Sequence, residues 1–104
     1  MISVKIGNTE GRISSFSVSG HSGYAESGAD IICAGVSALT LAAALGLRDV
    51  LHKKGSYESK DGFLAVEITE TDDRTEAVLR SMLCGLYEMQ KQYSDYIQVK
   101  EYRR

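Results

Sequence analysis

Between Ile31 and Leu47 the chain carries a run of small and aliphatic residues with almost no polar side. Ala34, Val36, Ala38, Leu39, Leu41 to Leu45 and Leu47 fall on nearly every side of a helix, and such a helix has to be enclosed over most of its surface. Either a sheet and a second helix of the same chain cover it, or a second subunit does. Cys33, Gly35, Ser37, Thr40 and Gly46 interrupt the run, which reads as too short and too mixed for a membrane span. No membrane contact is expected. The spacing predicts a helix from Ile31 to about Lys54. Asp30 suits its N-cap, where a carboxylate accepts from the first unpaired N–H groups. Arg48, His52, Lys53 and Lys54 gather at the far end, where cations suit the helix dipole, and Gly55 is placed to close the helix.

The flanking segments alternate apolar and polar residues. Ile2, Val4 and Ile6 define a strand from Ile2 to Gly7, Asn8 to Gly11 supply a turn, and Phe16 and Val18 mark a second strand from Arg12 to Ser19. Gly20 to Asp30 holds three glycines and no apolar period, so it reads as loop. Ser56 to Ser59 and Phe63 to Thr69 flank Lys60-Asp61-Gly62, a hairpin signal because Asp-Gly tolerates positive φ. Asp73 and Glu76 resemble a capping box that opens a second helix, with Val78, Leu79, Met82, Leu83, Leu86 and Tyr93 as its buried stripe. Tyr96 to Tyr102 forms the last strand. The order ββαββαβ implies an α+β two-layer sandwich, a largely antiparallel sheet with two helices on one face.

A length of 104 residues bounds the chain to a single domain, 1–104. Twelve basic against 14 acidic residues leave a net charge of −2, without the basic excess that phosphate backbones demand, so no direct nucleic-acid contact is expected. Neither cysteine belongs to a CxxC pair, and the two histidines stand 31 positions apart, so no zinc site is expected, nor any other metal or cofactor. The N-terminus lacks the apolar block of a signal peptide. The expected compartment is the cytoplasm, where thiols stay reduced.

The pairing of His21 with Cys33 across the glycine-rich loop is what composition does not explain. With Asp30 as N-cap, Cys33 is the third residue of the helix. A thiol there feels the positive end of the dipole, which favours the thiolate. An imidazole within reach lowers the thiol pKa further and can protonate a leaving amine. The N–H groups of Cys33 and Ala34 would be free to hold an oxyanion. The plain alternatives are that Cys33 is buried filler, since free cysteine is among the most buried residue types, and that His21 is a surface or capping residue. Anion binding at the helix start is a third alternative, but no Lys or Arg lies between Ile13 and Leu47.

Gly20-His21-Ser22-Gly23-Tyr24, followed by Gly28-Ala29-Asp30-Ile31-Ile32-Cys33-Ala34-Gly35-Val36-Ser37-Ala38-Leu39, resembles the signature of the ribosomal-processing cysteine protease (Prp) family. Ile32 stands where valine is commoner, and the likeness in length and element order covers essentially the whole chain. The resemblance implies a homodimeric cysteine endopeptidase with a Cys/His dyad. Its substrate would be a ribosomal protein precursor, the twenty-seventh protein of the bacterial large subunit, which loses a short N-terminal extension. His21 would be the general acid/base and Cys33 the nucleophile.

Asp30 matches the acidic position ahead of the nucleophile, and either orients the imidazole, caps the helix, or does both. Ser37, one turn beyond Cys33, either faces the same cleft or is a small residue that permits close packing. Gly20, in the Gly-His pair, and Tyr24, with Glu26 and Ser27 in the loop, are candidate supporting or substrate-binding positions. Cys84, between Leu83 and Leu86, reads as core packing, His52 as a helix-end cation, and Glu67, Glu70, Asp72 and Asp73 as a solvated edge. The rival from another class is a non-catalytic ribosome-associated peptide-binding module. A thiol-based redox or acyl-transfer enzyme is a third class, less attractive because no resolving cysteine is adjacent to Cys33.

Overall fold

Strand β1 (Ile2–Thr9) turns back into β2 (Arg12–Ser19) through Glu10 and Gly11, whose φ angles are 53° and 80°. A two-residue turn with both central φ positive matches the twist of the strands it joins. The turn is tighter than the sequence suggests, because Asn8 and Thr9 pair with Ile13 and Arg12 after an irregularity at Gly7/Asn8. Strands β3 (Gly55–Lys60) and β4 (Phe63–Ile68) make the second hairpin around Asp61 and Gly62, with Gly62 at φ 73°. The computed structural model describes residues 1–20 and 29–104, with side chains on the second stretch from residue 31 onward.

The strand order is β3-β4-β2-β1-β5, where β5 is Ile97–Arg103. Pairings are antiparallel except for β1 with β5. Two antiparallel steps separate β4 from β1, so the two run the same way. Helix α2 (Asp73–Gln92) then carries the chain from β4 back across the layer, and β5 enters in that same direction.

The register aligns one apolar layer. Val99, Val4 and Val18 lie side by side across three strands, and Ile6, Phe16 and Val66 across another three. Helix α1 (Ala29–Leu45) adds Ile32, Val36, Ala43 and Ala44 to the same core, and α2 adds Leu79, Met82, Leu83 and Leu86. The other face of the sheet, with Lys5, Ser15, Ser17 and Glu67, is exposed or half-buried. Two glycines let the helices approach closely. A Cβ on Gly35 would sit 3.0 Å from Met89 Cε, and one on Gly85 would sit 3.0 Å from Leu39 Cδ1.

The first helix ends earlier than its sequence suggests. After Leu45 it widens into a π turn (Gly46–Val50), with the Leu51 N–H reaching back to the Gly46 carbonyl at 2.9 Å. His52, at φ 53°, breaks the run in the left-handed region without a glycine to announce it. Gly55 does not close the helix. It opens β3, where a Cβ would run into the Glu67 carbonyl. The helical stretch Ile31–Val50 is in fact long and apolar enough, by length and composition, to cross a membrane, which corrects the expectation drawn from its length. About a third of that stretch is buried within the fold.

The capping box of α2 lies one residue upstream of Asp73 and Glu76. The Asp72 carboxylate accepts from the N–H groups of Arg74 and Thr75, and the buried Thr75 hydroxyl accepts from the Asp72 N–H. Lys53 donates to the second Asp72 oxygen and ties the exit of α1 to the start of α2. Glu76 accepts the Ile13 N–H at 2.9 Å. Asp73 pairs with Arg12, and Glu67 with Arg104, so most of the acidic edge is engaged rather than merely solvated.

The Lys53 hydrogen bond, followed by the Thr75 N–H, draws the Asp72 carboxyl down to about 2 from a usual 3.8. A depressed folded pKa stabilises the fold above the unfolded value, and that contribution fades as pH falls through the folded one. Asp72→Ala is therefore expected to lower Tm at neutral pH by roughly 5 °C. The gap from the parent protein should close as the pH approaches 2. Thermal melts between neutral pH and that point check this, and a gap independent of pH would contradict it.

Candidate active site

The first turns of α1, the end of β2 and the tip of the second hairpin converge. Cys33, Val36, Ser37, Thr40 and Leu41 recur at helical spacing, and all line a cleft of about 380 Å³. Residues 59–64 at the β3–β4 tip also line it, and Ile2, Val18 and Gly20 complete it from the sheet. Long-range pairing builds this arrangement. Ser19 pairs with Phe63, and one residue further on the Gly20 N–H donates to the Gly62 carbonyl at 3.1 Å.

Cys33 is half-buried, packing against the core cluster while also lining the cleft. It is therefore not the wholly enclosed filler that composition alone would suggest. Ser37 is exposed on the cleft wall, which favours its cleft-facing alternative. Close helix packing at this level falls to Gly35 against Met89. Gly20 belongs to the lining. His21, Tyr24, Glu26 and Ser27 lie outside the described residues, as does the side chain of Asp30. The separation of His21 from Cys33 is therefore not part of the described geometry.

The helix boundary changes two expectations. Because α1 opens at Ala29, Asp30 falls inside its first turn rather than at the N-cap, and Cys33 is the fifth residue rather than the third. In the i→i−4 ladder the Cys33 N–H reaches the Ala29 carbonyl, and the Ala34 N–H reaches that of Asp30. Those two donors serve the helix. A helix that starts at Ala29 has no partner of its own for the N–H groups of residues 29–31, just ahead of the sulfur.

Lys60 and Asp61 are the charged side chains of the described lining. The Lys60 ammonium lies 5.3 Å from the Phe63 ring centroid and 3.6 Å from a Glu58 oxygen, so a ring and a carboxylate both hold it. His52 follows the far end of α1, roughly 25 Å of helix from Cys33 at 1.5 Å per residue. Cys84, expected in the core, is exposed on α2, because the buried stripe of Thr75, Leu79, Met82, Leu83 and Leu86 turns away from it. Among the described residues no group of three His, Cys, Asp or Glu side chains is placed to hold a metal ion.

Sequence reasoning missed the hairpin wall. The Asp61-Gly62 pair announced a turn, but nothing local says that the turn comes to rest beside Gly20. Only the strand order carries that information, since β4 sits next to β2.

The family model described as cysteine protease Prp matches residues 1–98. The ribosomal processing cysteine protease Prp of Staphylococcus aureus is 27% identical over 103 residues, covering 95% of this chain and 97% of that one. Among solved structures, a Streptococcus mutans protein superposes with a TM-score of 0.89 at 22% identity, covering 100% of this chain and 96% of the other. The essential ribosomal processing protease Prp of S. aureus, in complex with a substrate peptide, gives a TM-score of 0.88 at 25% identity, covering 98% and 100%. The S. aureus enzyme with a covalently linked product peptide gives 0.85, also at 25% identity.

The cleft position of Ser37 can be read by its effect on the neighbouring thiol. Ser37→Phe is expected to slow labelling of Cys33 by a bulky maleimide about tenfold more than labelling by iodoacetamide, because access limits only the larger reagent. Cys84 serves as the internal reference. Peptide mapping by mass spectrometry gives the ratio, and an unchanged ratio would place Ser37 off the approach to the sulfur.

Proposed function

The chain belongs to the cysteine protease Prp family, and on that premise we propose that it is an endopeptidase that removes the N-terminal extension from the twenty-seventh protein of the bacterial large ribosomal subunit. The observation that carries this reading is the half-buried thiol of Cys33, near the open end of α1, on the wall of a cleft of about 380 Å³. Solved relatives with a substrate peptide and with a covalently linked product peptide support it.

In this reading Cys33 attacks as the thiolate. The sulfur bonds to the scissile carbonyl carbon, and the carbonyl electron pair moves onto oxygen. The oxyanion sits against the N–H groups of residues 29–31, which the helix itself does not use. As the intermediate collapses, the C–N bond breaks and the imidazolium of His21 gives its proton to the departing amine, leaving a thioester. Neutral His21 then takes a proton from water, which adds to the thioester carbonyl and expels the acid product, restoring the thiolate–imidazolium pair. Asp30 and Tyr24 support this loop and its peptide, and Ser37 lies along the peptide path. The protein works in the cytoplasm, where Cys33 stays reduced, without contacting nucleic acid or membrane itself.

The same reading includes a homodimer. Ile31, Leu41 and Leu45 are 76%, 47% and 38% exposed in the single chain, and with Ala34, Ala38 and Ala42 they form one stripe at helical spacing on α1. A second copy would cover that stripe, and light scattering at micromolar concentration should return twice the monomer mass.

Cys33→Ala and His21→Ala should each abolish conversion of the ribosomal precursor, with losses of at least about a thousandfold, while melting like the parent protein. Mass spectrometry of the precursor after incubation checks this. Undiminished conversion by Cys33→Ala would leave the peptide-binding module as the better account.

A further inference from the structure

The exit of β2 is held more tightly than a loop junction requires. Gly20 has φ 82°, and a Cβ built on it would lie 2.6 Å from the Met1 carbonyl oxygen. That oxygen belongs to backbone which cannot easily give way. The next N–H, of Ile2, donates to the Tyr96 carbonyl at 2.8 Å, and Ile2 pairs with Ile97 in the sheet. On its other side Gly20 donates its own N–H to the Gly62 carbonyl at 3.1 Å. Gly62 is itself at positive φ in the turn that forms the cleft wall. Gly20 therefore sits between the first residue of the chain and the hairpin tip, and His21 follows it directly in the sequence.

We propose that Gly20 is a positioning residue, clamped between the Met1 and Gly62 carbonyls, and that the clamp sets the point at which the chain leaves β2, one residue ahead of His21. The proposal rests on the reading of His21 as the partner of Cys33. A side chain at position 20 has to push against sheet backbone or shift the exit of β2, and the exit is the softer of the two. A shift of that exit is expected to act through the residue that follows it, His21, and not through Cys33, which packs against the core cluster from α1. The clamp also joins the wall of the cleft to the end of β2, since the hydrogen bond that fixes Gly62 fixes Gly20.

Gly11 supplies the control within the same hairpin. Its φ is 80°, nearly that of Gly20, but a Cβ there would meet nothing within 4 Å. Gly20→Ala and Gly11→Ala therefore share the backbone strain of an L-residue at positive φ and differ in the clamp. Both are expected to melt a few degrees below the parent. Gly20→Ala alone should lose about a hundredfold in kcat with KM nearly unchanged, the size of loss expected from misplacing a catalytic group by about 1 Å. It should also move the pH midpoint of Cys33 alkylation by iodoacetamide, which reads the imidazole without requiring cleavage.

A chain lacking Met1, made by scarless removal of a tag, opens one side of the clamp without adding an atom. It should lose part of kcat while keeping its Tm, and it should restore kcat to Gly20→Ala when the two changes are combined. If Gly20→Ala does not fold, the Met1-less chain alone decides the matter, and unchanged kcat in that chain overturns the clamp. A parental alkylation profile and kcat in Gly20→Ala would overturn it as well, as would an equal loss in Gly11→Ala. Cys33→Ala run beside these keeps the questions apart, because cleavage surviving that change defeats the protease reading, while the alkylation profile still judges Gly20.

Discussion

The burial of one side of α1 sets the geometry on which the cleft depends. Ile32, Val36, Ala43 and Ala44 enter the core together, and Leu47 follows from the π turn. Each larger aliphatic among them contributes roughly 1.5–3 kcal/mol on leaving water. Together they outweigh the marginal stability of an isolated helix and fix its rotation. Since successive residues on a helix are about 100° apart, that rotation dictates where Cys33 and Ser37 point. Both flank the buried stripe, at the border where the core gives way to the cleft. A thiol held there is supported by packing on one side and faces the cleft on the other. The glycines at 35 and 85 belong to the same constraint, because they set how closely α2 can press α1 against the sheet.

What the sequence made legible follows from how local each signal is. The β2 boundaries, both hairpins and the two helices rest on short-range period and turn chemistry, and the structure has them close to where the residues put them. The end of α1 was hidden, because a left-handed His52 and a widened turn at Gly46 leave no mark in composition. Gly55 invited misreading, since a glycine after a cationic helix end looks like a cap, whereas its role is to let β3 lie against the Glu67 backbone. Asp72 and Asp73 both suit an N-cap, and the choice between them was made by Lys53 and the buried Thr75, neither of which is visible to a capping rule. The exposed side of Cys84 follows from the stripe it borders, a matter of angle rather than of its apolar neighbours.

The electrostatics of the candidate site are unusual in where positive charge is absent. No Lys or Arg occurs between Ile13 and Leu47, so neither the loop nor the first turns of α1 bring a cation of their own. Lys60, in the described lining, is engaged by Phe63 and Glu58. In the proposed mechanism the thiolate therefore depends on the opening of α1 and on His21. Both are directional and short in range. A site activated in this way is more sensitive to the placement of its groups than one bathed in the field of a guanidinium. That sensitivity gives backbone position around Gly20 its weight.

The proposed dyad and the cleft are specified at different ranges along the chain. His21 and Cys33 stand within one short stretch, and their residue types could be read directly. The wall opposite Cys33 comes from residues 59–64, some thirty positions further on, and reaches the site only through the pairing of β2 with β4. Changes at the hairpin tip can therefore reshape the cleft without touching His21 or Cys33, provided that the Gly62 carbonyl stays in place. The hydrogen bond between Gly20 and Gly62 is where the two ranges meet. It uses only backbone atoms, so the side chains of the hairpin are left free to vary around it. A Cβ at position 20 would instead have to displace the exit of β2, because the space that atom would need is already filled by the carbonyl of Met1.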